Sequence, residues 1–447
     1  MGVQSSHLRV EILVRYYLLA HCLSAATDSY PARRERGASA PQKGKCEAEA
    51  SRSREGEGMS EWKEVRVQDV SRRITSGGTP STKISEYYGG NIPWLNTKEI
   101  NFRPIVKTEQ HITELGLANS PAKWIEKNSV IVAMYGATAG KSAISKIALT
   151  TNQACCNITV DESKADYRFI YYALVDSYSK LENLASGAAQ QNLSVGVISN
   201  FEISIPPLPE QRAIAEVLSS LDDKIDLLHR QNKTLESLAE TLFRQWFVED
   251  ARVDWKEYSL SDFVEHVKEG ITPSEFKDTL FYHYSLPAYD ENKMPAQELG
   301  NDILSNKYKV IPNSILVSKL NPRFPRIWPI IDLLGGNSIC STEFQVLKPK
   351  SGKLYGYIYF LLRSKEAIDF LAMSASGTSG SHQRVRPEDI LNIEAKFPSI
   401  ERAKQFSGLA MGHIYKIQFN QHQIQTLEKL RDSLLPKLMG GELKITV

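Results

Sequence analysis

The sequence predicts an α+β chain in which two β-rich modules alternate with two long helices. The helices are expected to pair as an antiparallel coiled coil, giving a pseudo-twofold internal repeat. Three observations predict this. Residue patterns recur about 190 positions apart; short β-prone runs punctuated by turn residues fill the first part of each repeat; and two stretches keep a 3.5-residue apolar period over several heptads.

The repeat shows in ordered matches. Trp62-Lys-Glu recurs as Trp255-Lys-Glu, each followed by an aspartate, Asp69 and Asp262. Thr79-Pro80-Ser81 recurs as Thr272-Pro273-Ser274, and Asn128-Ser129 before Val-Ile-Val matches Asn313-Ser314 before Ile-Leu-Val. Phe169-Ile-Tyr-Tyr matches Tyr357-Ile-Tyr-Phe, and Ser186-Gly187 matches Ser376-Gly377. Gln231, Thr234, Leu235, Glu236 and Leu238 match Gln423, Thr426, Leu427, Glu428 and Leu430. The order holds while the offset drifts by a few residues, as expected of duplicated domains whose loops have changed.

Within each module, runs such as Ser129–Tyr135 are expected as strands between turns marked by Gly, Pro and Asn. A helix is expected near 166–184 and again near 354–373. Pro206, Pro207 and Pro209 then open the first long helix. Its seam runs Ile214, Leu218, Leu221, Ile225, Leu228, Asn232, Leu235, Ala239, Leu242, Trp246. The second seam is more polar: Phe406, Ala410, His413, Ile417, Asn420, Ile424, Leu427, Arg431, Leu434, Leu438, ending at Gly440-Gly441. One asparagine sits in each seam. Buried, it sets register at a cost in stability; in a wet seam it does neither. About 38 residues of helix span roughly 57 Å, between one and two turns of B-DNA at about 34–36 Å each.

The expected boundaries are 59–208 and 249–398 for the modules, and 209–248 and 399–443 for the helices. Residues 1–58 are expected to be a disordered or non-native extension before Met59. Val10–Ala26 is apolar but interrupted by Glu11 and Arg15, unlike a signal sequence, and 29–58 has little to bury. Five cysteines, at 23, 46, 155, 156 and 340, show neither zinc nor disulfide spacing and fit a reducing cytoplasm.

Enzymatic readings find little support. Gly136-Ala-Thr-Ala-Gly140-Lys141-Ser142 is one residue short of a phosphate-binding loop, and strand-like alternation follows it instead of a helix. A tight hairpin turn is favoured. Glu394-Ala-Lys396 after Asp389 has the letters of a nuclease triplet at a spacing common by chance. No catalytic residue, metal ligand or cofactor loop is assigned.

Several segments resemble a known family. Leu208–Asn232 is similar to the central region of type I restriction-modification specificity subunits. Gly77–Ile100, Tyr135–Ile144, Thr150–Ile158 and Ser186–Ser194 resemble segments of their target recognition domains. The match covers about Met59 to Leu443 and is dense in the first half. The second half reads SKLNPRFPRI, CSTEFQV and FPSIERAKQF where the first has GATAGK, TNQACC and LPEQRAIAEV. The resemblance implies a non-catalytic chain. Its two target recognition domains would read a bipartite double-stranded DNA site, and its helices would set their separation and dock two modification subunits. Those partners would carry S-adenosylmethionine and methylate adenine; motor-nuclease restriction subunits, with ATP and Mg, would cleave.

DNA contact must come from local patches, because the net charge is only +2. Gln and Asn suit adenine edges, and Arg suits guanine. Two loops at matching repeat positions concentrate such groups: Gln190, Gln191 and Asn192, and His382, Gln383 and Arg384 with Arg386. A solvated polar turn would look the same. Lys83, Lys98 and Lys141, with Lys319, Arg323 and Arg326, are candidates for phosphate, and Tyr135 and Thr138 join Lys141 in its turn. Tyr87, Tyr88 and Trp94 could flank DNA, although aromatics beside Gly-Gly more often pack. A coiled-coil scaffold with two modules that bind something other than DNA remains the alternative, which salt-dependent binding would separate.

Overall fold

The computed structural model describes residues 62–186, 192–376 and 383–445. The chain divides into two compact units. One comprises residues up to Asp223 together with Lys429 onward, and the other is Lys224–Glu428.

In the first unit, strand β1 (Lys63–Arg66) pairs antiparallel with β10 (Glu202–Ile205), joining the two ends of the module. Between them lie β2 (Ser71–Ser76), β3 (Tyr88–Leu95), β4 (Gln110–Ile112), β5 (Trp124–Ile125), β6 (Val130–Ala133), β7 (Ser142–Ile144), β8 (Leu149–Thr151) and β9 (Cys155–Val160). They form two four-stranded sheets, ordered β2-β9-β6-β7 and β4-β3-β8-β5, with β3 and β8 parallel. Strand β6 is apolar throughout because both of its faces are covered. Val130 and Val132 join the core under the helix Tyr167–Asp176, while Ile131 and Ala133 join Leu95, Ile125 and Leu149 of the other sheet. That helix is capped by Asp166, whose carboxylate accepts from the backbone N–H of Arg168 and Phe169.

The second unit repeats the plan. Strand β11 (Lys256–Ser259) pairs with β21 (Glu394–Phe397). The others are β12 (Val264–Val267), β13 (Gly270–Ile271), β14 (Leu280–Tyr284), β15 (Ala296–Leu299), β16 (Lys307–Lys309), β17 (Ser314–Ser318), β18 (Ile327–Ile330), β19 (Ser338–Ser341) and β20 (Phe344–Pro349). The sheets are β12-β20-β17-β18 and β13-β16-β19-β14-β15, with β14 and β19 parallel. Apart from the added edge strand β13, the orders match those of the first unit. Asn128 and Asn313, equivalent in sequence, both adopt left-handed φ (69° and 55°) on entry to β6 and β17.

The central helix runs Leu208–Arg244 and continues as a π-helical turn, Gln245–Glu249; the C-terminal helix runs Ile400–Met439. Gly441, at φ 70°, follows the latter's end. Within each unit the helices run antiparallel. In the first, Ile214 and Leu218 share a core with Leu435 and Leu438, and Asp222 meets Arg431. In the second, Asn232 meets Asn420, and Phe243 meets Phe406 edge-on at 5.4 Å between centroids. Ile214, Leu218, Leu221, Ile225, Leu228 and Ala239 are buried, as are Phe406, Ala410, Ile417, Asn420, Ile424, Leu427 and Leu438, so the 3.5-residue period marks the seam on both helices.

Candidate nucleic-acid interface

In the first module, residues Gly136–Lys141 form the turn between β6 and β7, an antiparallel hairpin. Gly136 and Gly140 take left-handed φ (86° and 82°), and Gly140 N–H donates to Ala133 O at 2.8 Å. A strand follows, so no helix N-terminus faces the turn. Lys141 Nζ donates to Asn101 Oδ1 at 2.8 Å and lies 5.7 Å from the centroid of Phe102, a residue held at φ 55° and packed edge-on against Tyr178. Thr138 Oγ1 donates to Thr97 O at 3.0 Å, which fastens the turn to the segment bearing Lys98. Lys98 Nζ lies 2.7 Å from Glu109, whose carboxylate raises the lysine pKa. Tyr135 is half-buried against the core, and Lys83 is exposed.

Leu193 N–H donates to Met134 O at 2.9 Å and anchors the segment that begins at the exposed Asn192 beside the hairpin. The second module has the matching bond, Val385 N–H to Lys319 O at 3.1 Å. Its hairpin turn, Asn321–Arg326 between β17 and β18, is further tied by Asn321 N–H to Gln383 O at 2.9 Å. In both modules the described segment that follows the candidate loop is therefore bonded beside the β-hairpin turn. Gln190, Gln191 and His382 lie outside the described residues.

Several candidate cations have acidic partners within their own unit. Arg326 makes two 2.7 Å bonds to the Asp290 carboxylate, and its side chain is only 18% exposed. Arg384 reaches Glu343 at 3.0 Å, and hydrogen bonding to that carboxylate raises its pKa. Arg386 N–H donates to Asp389 at 2.9 Å on entry to the helix Pro387–Leu391. Arg323 is exposed and Lys319 half-buried. Sequence spacing does not single out Asn101, Phe102, Asp290 or Glu343, whose partners lie far along the chain.

Other motifs resolve as framework. Trp94 is buried and donates from Nε1 to Gly78 O at 3.0 Å; Tyr88 packs edge-on against it and donates to Pro80 O at 2.7 Å. In the Thr150–Ile158 segment, Asn157 Nδ2 donates to Thr151 Oγ1 at 2.8 Å, and burial pushes the Cys156 thiol up to about 12. Burial likewise pushes the Cys340 thiol of the second module up to about 12, which favours the neutral thiol at both buried positions. Lys396 bridges Glu257 and Glu394 across the β11–β21 ribbon, whereas Asp389 sits at the helix entry. Among the described residues no cluster of three or more His, Cys, Asp or Glu side chains could hold a metal ion. No helix among them is long and apolar enough to cross a membrane.

Two repeated modules, each with a β-hairpin bonded to the segment after its candidate loop and each packed with a stretch of both long helices, define a duplicated module-and-helix protein. The family model described as the type I restriction modification DNA specificity domain matches residues 59–237 and again 252–429, so the chain belongs to the family of type I restriction-modification DNA specificity subunits. The MjaIX type I specificity subunit of Methanocaldococcus jannaschii is 26% identical over 434 residues, covering 86% of this chain and 94% of that one. The MjaVIII specificity subunit of the same organism is 21% identical over 86% of this chain and 93% of its own length. The crystal structure of a type I S subunit from M. genitalium has the same fold, with a TM-score of 0.56 at 17% identity, over 85% of this chain and 96% of that one.

Proposed function

We propose that each module reads one half of a bipartite double-stranded DNA target and that the chain performs no chemical step itself. In this reading its modification partners methylate adenine with S-adenosylmethionine, and restriction subunits that use ATP and Mg cleave, all in the cytoplasm. One observation carries the reading: in both modules the hairpin and the segment that follows the candidate loop are joined by the equivalent backbone bond, Leu193 to Met134 and Val385 to Lys319. A duplicated presentation of this kind suits a target with two half-sites.

The interface divides into two roles. Asn192 and Gln383, with Gln190, Gln191 and His382 alongside them in sequence, supply the groups suited to base edges. Lys83, Lys141, Lys319 and Arg323 suit phosphates. Arg326, Arg384 and Lys98 are already paired with acids and act chiefly by shaping the surface.

The test is binding of the chain, assembled with its modification subunit, to duplexes drawn from a randomised pool. Selection of a two-part sequence, with affinity falling steeply as salt rises, is the expected result. Equal binding to all duplexes, or none, would favour a coiled-coil scaffold whose modules bind something other than DNA.

A further inference from the structure

The turn between β17 and β18 carries a group that its counterpart in the first module lacks. Its sequence is Asn321-Pro322-Arg323-Phe324-Pro325-Arg326. Phe324 N–H closes it onto Asn321 O at 2.9 Å, Asn321 stands at φ 51°, and Pro322 is buried. Two prolines fix two further φ angles. The base is fastened by Asn321 N–H to Gln383 O, by an antiparallel bridge from Leu320 to Arg384, and by the two Arg326–Asp290 bonds. This rigid mount holds the Phe324 ring 72% exposed, beside the exposed Arg323. The matching turn in the first module, Tyr135–Lys141, has no exposed large apolar side chain.

A phenyl ring held in water on a fastened turn adds little buried area to the core; with a cation beside it, it is available to a partner that offers both an apolar face and negative charge. Charge points to the partner. Asp290 and Glu343 are engaged by Arg326 and Arg384, which leaves Arg323 at the tip and Lys319 at the base as cations without an acidic partner among the described residues. A polyanion with stacked apolar faces offers both complements.

We propose that Phe324 is a wedge that inserts against a base step of the second half-site, with Arg323 on the flanking phosphate. This rests on the DNA-reading function above and assigns the two modules different modes. Apolar wedges partly unstack a step and kink the duplex, and pyrimidine–purine steps yield most readily. The second half-site therefore contains a deformable step recognised without a hydrogen bond to its bases, whereas the first has no wedge at the matching turn.

The test uses the full chain assembled with its modification subunits. The probe is the duplex that the unaltered assembly selects from a randomised pool, with 2-aminopurine placed singly along each half-site. Besides any rise at the adenines that the modification subunits turn out of the stack, binding is expected to raise fluorescence at one further position, in the second half-site. Phe324→Ala should abolish that rise and weaken binding about tenfold, without changing the thermal unfolding of the assembly. Arg323→Ala should keep the rise and reduce the salt dependence. If Phe324→Ala left both fluorescence and affinity intact while two-part recognition persisted, the wedge would be overturned and DNA reading would stand. Failure of Phe324→Ala to join the modification subunits would assign the ring to a protein contact and equally overturn the wedge. If the unaltered assembly selected no duplex sequence, both readings would fall together.

Discussion

Asn420 Nδ2 donates to Asn232 Oδ1 at 2.8 Å across the helix pair of the second unit. Asn420 is fully buried, and its own Oδ1 has no hydrogen-bond partner among the described residues. These are the two seam asparagines, so the polar positions of the two helices face one another. An amide pair with one buried member favours one register, because sliding either helix would strand the buried Asn420 amide among apolar side chains.

The pair should therefore behave non-additively. Asn420→Leu alone leaves Asn232 facing an apolar group and should lower the urea midpoint, a loss of about 1 kcal/mol. Asn232→Leu with Asn420→Leu removes both amides and should match or exceed the parent. A double-mutant cycle on urea midpoints reads the coupling, and simple additivity of two losses would show that the pair does not act as a unit.

Asp222 joins three elements of the first unit. Tyr172 Oη, from the module's helix, donates to its carboxylate at 2.6 Å, and Arg431 Nη1, from the C-terminal helix, lies 2.9 Å away. Asp222→Ala leaves the Tyr172 phenol without its acceptor and the Arg431 guanidinium with Asp432 alone, and should cost about 1–3 kcal/mol. Tyr172→Phe should cost about 1 kcal/mol, since it removes one hydrogen bond and keeps the packing. Phe360 at the matching sequence position of the second module already shows that a phenyl ring fits this kind of site. Chemical denaturation of the two variants gives the comparison; equal losses would mean that the carboxylate is not what organises the junction.

Period and repeat made the architecture legible. The seam residues from Ile214 to Ala239 follow a spacing that only a paired helix needs, and the apolar runs at β6 and β17 mark strands covered on both faces. Individual contacts were not legible. Arg326 looks like a phosphate ligand and Arg384 like a base reader by residue type, but their acids, Asp290 and Glu343, lie 36 and 41 residues away. No spacing rule connects positions brought together only by sheet order. By sequence the aromatics near Gly89-Gly90 fit either packing or DNA contact; burial of Trp94 and the Tyr88–Pro80 hydrogen bond settle those two as packing.

Arg323 and Arg326 should separate into different roles although three residues apart. Arg323 is exposed, while Arg326 is bound twice by Asp290. Arg323→Ala should leave thermal unfolding unchanged and make the slope of log affinity against log salt shallower by about one. Arg326→Ala should instead lower the unfolding temperature, because it unfastens the turn and leaves Asp290 unpaired. Measured salt slopes and melting curves for the two variants decide this. A lowered slope for Arg326→Ala without destabilisation would place its guanidinium on DNA after all.

The helices should act as the ruler between half-sites, and lengthening the pair is the direct test. The central helix has 37 residues and the C-terminal helix 40, with seam contacts in both units. One added heptad keeps the seam in phase, since two turns restore nearly the same face, and lengthens a helix by about 10.5 Å. Both helices must receive it, or the register held by Asn232 and Asn420 is broken. At about 3.4 Å per base pair, the preferred gap in the selected duplex should grow by about three base pairs while both half-site sequences stay the same. Insertion of two residues in each helix should do worse, because at about 100° per residue it turns the apolar stripe about 200°, off the seam, and destabilises the pair before any gap can be read. Sequencing of duplexes selected by the heptad variant measures the gap directly. An unchanged gap with intact half-sites would mean that the spacing is set elsewhere in the assembly and that the helices serve only to join the modules.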